Sequence, residues 1–151
     1  MNHKVEYCDR KLTISPYYYC LVLNEETYYQ ELAKLDIPPY MGGAWLNSGA
    51  NATAHFFIHG STNRKVCIVS FDDKKKATPT QKCGLLAHEA VHIFQKICEE
   101  IGESSPSSEF EAYSIQTIFE ELLYAYDRAK SELSKSLKKP IKQPSTKKKS
   151  K

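Results

Sequence analysis

No apolar run in this chain approaches the roughly 20 residues of a membrane-spanning helix, and its opening stretch, Met1-Asn2-His3-Lys4-Val5-Glu6-Tyr7, lacks the apolar segment of a secretory leader. Both absences point to a cytoplasmic protein with no membrane partner. Cysteine pairs are missing too. The five cysteines, at positions 8, 20, 67, 83 and 98, are odd in number and contain no CxxC spacing. That argues against a disulfide framework and against a thiolate zinc ribbon. Reduced thiols in core or helix-surface positions are expected, Cys83 among them, with an extra ligand or switch role as its alternative. Asn51-Ala52-Thr53 spells a glycosylation sequon, which means nothing without secretion.

Acid is absent from the C-terminal end. The last fourteen residues hold seven lysines and no Asp or Glu, so taking those seven from the formal charge of +3 leaves the rest of the chain at −4. The body is mildly acidic and the tail basic. Lys138 to Lys151 is interrupted by Pro140 and Pro144 and mixed with Ser and Thr, a disordered composition. To a nucleic acid it offers only weak, sequence-independent phosphate contacts. With 151 residues the chain is expected to form one domain, residues 1–133, followed by a Lys-rich tail, 134–151; alternatively Lys130 to Leu137 extends the last helix. Any active site is then a groove on a small body.

What is present reads as alternating strands and helices. Tyr17 to Leu23 is aromatic and branched, bounded by Pro16 and Asn24, and reads as a strand in which the three tyrosines alternate between core and rim. Asn24 is an N-cap for a helix with Glu25 and Glu26 in its first turn and Tyr28, Leu32 and Leu35 at helical spacing, stopped by Ile37-Pro38-Pro39. Gly42 to Gly49 reads as a loop with room for one short strand. Thr53 to Ile58 and Lys65 to Phe71 then form a hairpin around Gly60-Ser61-Thr62-Asn63. His55 and His59 share one face of its first strand, as exposed residues or, alternatively, as a ligand or oxyanion donor. Asp72 to Lys76 is a solvated, charged connection.

Thr78-Pro79-Thr80-Gln81 matches a capping box with proline at the first helical position, and Gly102 ends the helix it opens. Leu86, Ala90, Ile93, Phe94, Ile97 and Ile101 share one broad side of that helix. His88 and His92 project roughly from the other. The two histidines belong to Leu85-Leu86-Ala87-His88-Glu89-Ala90-Val91-His92, an HExxH sequence. Residues four apart on a helix lie on one face about 6 Å along the axis, so both rings can address one metal ion. Glu89 sits where a carboxylate can act as general base. The plainer alternative is a pair of surface histidines beside an ordinary helix-forming acid.

A catalytic zinc site keeps three protein ligands and an open position for water, so one more side chain is needed. A following helix, begun at Ser105-Pro106 or Ser108, has the apolar stripe Ala112, Ile115, Ile118, Phe119, Leu122 and Tyr126, with Glu109 and Glu111 in its first turns. His88-Glu-Ala-Val-His92 followed by Glu109-Phe-Glu-Ala-Tyr113 resembles the gluzincin group of zinc metallopeptidases. The segments HEAVH, IGE and EFEAYSIQ resemble most the small metallopeptidase-like proteins encoded by phages and prophages, which would place this chain in a host cytoplasm. The resemblance covers roughly residues 54 to 126. It implies a minimal zincin-like α+β domain, in which a small, partly antiparallel sheet packs on the HExxH helix and a following ligand-bearing helix. It also implies Zn²⁺ as cofactor, a peptide or protein substrate, and Glu109 as third ligand, with Ala112 the small residue of the motif. Tyr113 departs from the Asp, Asn or Glu of related enzymes and leaves the partner of His88 open.

Periodicity bears on the same choice. Glu111 lies near the edge of the apolar stripe, where it can complete a capping box with Ser108 or serve as the alternative ligand. Glu109 points away from the stripe, as the histidines do on their own helix, so two helices packed by their apolar sides would let those polar sides converge. An extended peptide would lie against Lys65 to Phe71 or Thr53 to Ile58 as the sheet edge. Tyr113 and His59 are candidate oxyanion or supporting groups. The alternative function is non-catalytic: a zinc-stabilised or degenerate protein-interaction domain.

Overall fold

The computed structural model describes residues 2–8, 12 and 14–137. It is a mixed α+β arrangement with strands β1 (Tyr17–Val22), β2 (Ala52–Ile58) and β3 (Lys65–Phe71). Its helices are α1 (Glu25–Lys34), α2 (Pro39–Gly42), α3 (Pro79–Ile101) and α4 (Ser108–Leu137). The three strands make one sheet in the order β1-β3-β2. β1 runs parallel to β3, from Tyr17 opposite Lys65 to Val22 opposite Ser70, and β2 runs antiparallel to it, from Ala52 opposite Phe71 to Ile58 opposite Lys65. β3 is therefore the central strand. Of the two strands expected as a sheet edge only β2 is one, and among the described residues no strand pairs with its outer side.

Side-chain alternation sorts the core into two layers. Tyr17, Tyr19 and Leu21 of β1 and Cys67, Val69 and Phe71 of β3 face α3 and α4, where they meet Leu86, Ile93, Ile97, Ile118 and Leu122. Cys20, Val22, Val66 and Ile68 face α1 and its extension, meeting Tyr28, Leu32, Leu35 and Ile37. Both faces of β3 are covered, which is why Val66 to Phe71 is buried without interruption and why its sequence is apolar on both faces, Ser70 apart, rather than alternating. Each fully buried Leu or Ile in these layers contributes about 1.5–3 kcal/mol of transfer free energy. The edge of β1 is partly covered by the N-terminal segment, whose Cys8 N–H donates to the Tyr19 carbonyl at 2.9 Å.

Local sequence explains the element boundaries. Asn24 caps α1 by accepting from the Thr27 N–H at 2.9 Å. Both halves of the capping box at α3 are formed: the Gln81 N–H donates to Thr78 Oγ1 at 3.2 Å, and the Thr78 N–H donates to Gln81 Oε1 at 2.8 Å. Gly102 closes α3 with φ 72°, the left-handed conformation for which glycine is suited. Residues 43–49 form no strand. α1 ends at Lys34, ahead of the stop expected at Ile37-Pro38-Pro39, and Pro39 then opens the short helix α2, since proline fits the first helical position. α4 continues through Leu137, past the boundary expected at 133; the rest of the Lys-rich tail lies outside the described residues. Ile101 and Ala112, both expected on apolar stripes, are exposed. Among the described residues no helix is long and apolar enough to cross a membrane.

α3 and β2 run side by side in the same direction. A strand advances about 3.4 Å per residue and a helix about 1.5 Å, so the seven residues of β2 keep pace with some sixteen of α3. The contacts agree: Asn51 shares a cavity with Gly84, the Glu89 carboxylate lies near the Ala54 N–H, and Lys65, opposite Ile58, pairs with Glu100.

The far end of α3 is held by Asp73, which accepts from Lys82 at 2.6 Å and also from Tyr126 and Lys130 of α4. Burial alone would raise the Asp73 carboxyl, but these hydrogen bonds outweigh it and hold it below the ordinary aspartate range. A depressed folded pKa stabilises fully above the unfolded value, and that contribution is lost as pH falls through the folded one. Asp73→Asn should therefore cost on the order of 2 kcal/mol at neutral pH, between surface and fully buried pairs. In denaturant titrations this gap should narrow once pH drops below about 4; a gap independent of pH would contradict the charge account.

Gly84 lies inside α3, and a Cβ built on it meets no atom within 4 Å. Glycine there costs helix stability without a packing reason. Gly84→Ala should stabilise the fold by about 0.5–1 kcal/mol, read as a rise in denaturation midpoint at unchanged slope; destabilisation would show that the space is needed by the folded backbone.

Candidate functional site

His88 and His92 stand one turn apart on the exposed face of α3, with their Nε2 atoms 3.0 Å from each other and their rings at 88°. Two imidazole nitrogens bound to one tetrahedral zinc at about 2.05 Å would stand roughly 3.3 Å apart, so a few tenths of an ångström separate this pair from a metal-chelating bite. The two Nε2 atoms face each other at hydrogen-bonding distance. On this observation the pair suits a divalent transition metal.

Glu89 is turned inward beside them, 3% exposed. Burial raises its carboxyl above the ordinary glutamate range, opposed by the neighbouring His92 and His88 and by the Ala54 N–H it accepts from. Helix and strand thus meet at a carboxylate that also borders the groove.

That groove, about 490 Å³, lies between α3 and the open edge of β2. Ala52, Ala54 and Phe56 line it from the strand, while His88, Glu89 and His92 line it from the helix. The small side chains at 52 and 54 leave the space; they are the β2 residues that face α3, whereas His55 and Phe57 face the other way. A second cavity of about 480 Å³ adjoins the groove at His88 and continues toward the start of α3.

The other expected site residues are not gathered here. Glu109 and Glu111 are exposed in the first turn of α4. α4 runs antiparallel to α3, since Phe110 meets Phe94 with ring centroids 5.7 Å apart and Tyr126 meets Lys82. Glu109 is accordingly level with the turn after His92. Glu111, with Glu103, acts on the Cys98 thiol, whose pKa is raised first by burial and then by these two acids. Cys98 lies about 120° round α3 from His92. Among the described residues no three His, Cys, Asp or Glu side chains are grouped as a metal would need. Tyr113 is 65% exposed and does not line the groove.

His55 sits on the far face of the sheet, and it and His59 are half-buried rather than exposed. His55 Nε2 is 3.0 Å from the Trp45 carbonyl, its pKa lowered by burial against the opposing pull of that carbonyl. His59 lies beyond the end of β2, with Nδ1 accepting from the Ser61 N–H at 3.3 Å and 3.9 Å from the Asp36 carboxylate.

No protein-family model matches the chain, and no curated protein and no solved structure is significantly similar to it.

Proposed function

We propose that the chain is a zinc-dependent hydrolase, most simply a metallopeptidase, built as a minimal zincin-like domain. The observation that carries this reading is the exposed His88 and His92 pair, with Glu89 buried beside it and tied to the edge strand, at a groove open to an extended chain. His88 and His92 would hold the ion with a carboxylate from the first turn of α4, Glu109 or alternatively Glu111. Bound Zn²⁺ supplies Lewis acidity toward a carbonyl and lowers the pKa of its water.

The chain's own residues do the rest. Glu89 takes a proton from the attacking water and returns it to the leaving amine. Packing against Ala54 of β2 holds that carboxylate at the groove. The outer side of β2 pairs with the substrate backbone as an added strand. None of the five cysteines is in a disulfide, which accords with action in a reducing cytoplasm. Because neither acid lies beside the histidines, the reading requires the first turn of α4 to move toward the pair when the ion binds.

The ungrouped third ligand favours one rival, a degenerate or zinc-stabilised domain that binds protein without cutting it. Elemental analysis and peptide hydrolysis separate the two. The Glu89→Gln chain should retain one zinc and lose activity by about 100-fold or more, and full activity in that variant would end the mechanism. Glu109→Ala should lower zinc affinity by about 10- to 100-fold; unchanged affinity, with the loss appearing in Glu111→Ala, would reassign the ligand.

A further inference from the structure

The two cavities that meet at His88 differ in charge and in floor. On the His92 side the wall carries Glu89, Lys96 and Glu99, and Lys96 pairs with Glu99 at 2.9 Å, so that side offers no free cation to an acidic group. The cavity on the other side is floored by Gly84 and Leu85, the turn before His88, and walled by Asn51, Lys76 and Gln81. Apart from His88, Lys76 is its only ionisable lining residue.

Neighbouring lysines are engaged: Lys75 donates to the Ala50 carbonyl at 3.0 Å and Lys82 pairs with Asp73. Lys76 has no acidic partner among the described residues. Gln81 has its amide oxygen fixed by the Thr78 N–H, which leaves its NH₂ group as a donor. Gly84 has an ordinary helical backbone and nothing within 4 Å of a would-be Cβ, so neither conformation nor packing calls for glycine. What glycine provides is room, in a wall where other residues carry side chains.

We infer that this cavity is a subsite for an acidic residue. The substrate residue next to the scissile bond places its side chain over Gly84, and its carboxylate is received by Lys76. What happens to the bond rests on the hydrolase reading above; the binding preference does not.

The test is a titration of the ¹⁵N-labelled full chain, carrying Glu89→Gln to prevent turnover and one equivalent of Zn²⁺. The probes are two blocked pentapeptides that differ only in a central Glu or Gln. The Glu peptide should shift the amides of Gly84, Leu85 and Asn51 and bind about fivefold tighter than the Gln peptide, as one partly exposed charge pair allows. Lys76→Gln should abolish that ratio, and Gly84→Leu, in a chain whose spectrum stays dispersed, should weaken both peptides about tenfold. Equal affinities, a preference that survives Lys76→Gln, shifts confined to other residues, or no binding would each overturn the subsite. Hydrolysis by the unmutated chain reports separately: binding at Gly84 without cleavage sinks the hydrolase reading and keeps the subsite, and cleavage without acid preference does the reverse.

Discussion

The burial of the Glu89 carboxylate against β2, near the Ala54 N–H, is the constraint on which the rest of the site depends. It fixes helix α3 against β2 at one register, and from there the strand and helix repeats carry the two elements forward in step. A carboxylate buried in an apolar seam is costly unless something donates to it, and an edge strand has unpaired backbone N–H groups to give. The same contact turns Glu89 inward while its neighbours on the helix turn out, so a buried acid comes to lie beside two exposed imidazoles.

The sheet order makes this possible. With β3 in the centre and covered on both faces, its backbone is fully committed to its neighbours. The N-terminal segment lies along β1, so β2 presents the open edge, and it does so directly above the histidine face of α3. Small residues at 52 and 54 keep the seam from closing over the histidines. Larger ones there would fill the groove that the exposed rings now border.

Much of this was legible in residue order, for identifiable reasons. Lys65 to Phe71 was readable as a strand because a doubly covered strand is nearly all apolar, here with only Ser70 breaking the run from Val66. α3 was readable from both ends, through the Thr78 and Gln81 capping box and the glycine at 102. The pairing of His88 with His92 follows from helical repeat alone. What periodicity could not supply was strand order, so β3 and β2 were equal candidates for the edge. The histidines at 55 and 59, read as exposed residues, are half-buried; the alanines between Asn51 and Phe56, on the alternate positions, were the available sign of a groove. Pro39 hid α2 because a proline that reads as a helix stop also fits the first position of a new helix. The placement of Glu109 relative to the histidines depends on how two helices cross, and a stripe of apolar residues sets which sides touch without setting where along the axis they do so. That is why polar sides expected to converge are instead separated, with the groove shared between α3 and β2 rather than between α3 and α4.

The central claim is that the two imidazoles and one carboxylate share an ion that still holds solvent. Zinc-edge absorption and anomalous scattering from crystals of the zinc-loaded full chain address it directly. The account predicts zinc–nitrogen distances near 2.0–2.1 Å to His88 and His92, one carboxylate oxygen from the first turn of α4, and a light-atom solvent ligand completing four-coordination. Zinc bound away from His88 and His92, or enclosed by four protein ligands with no solvent, would contradict it.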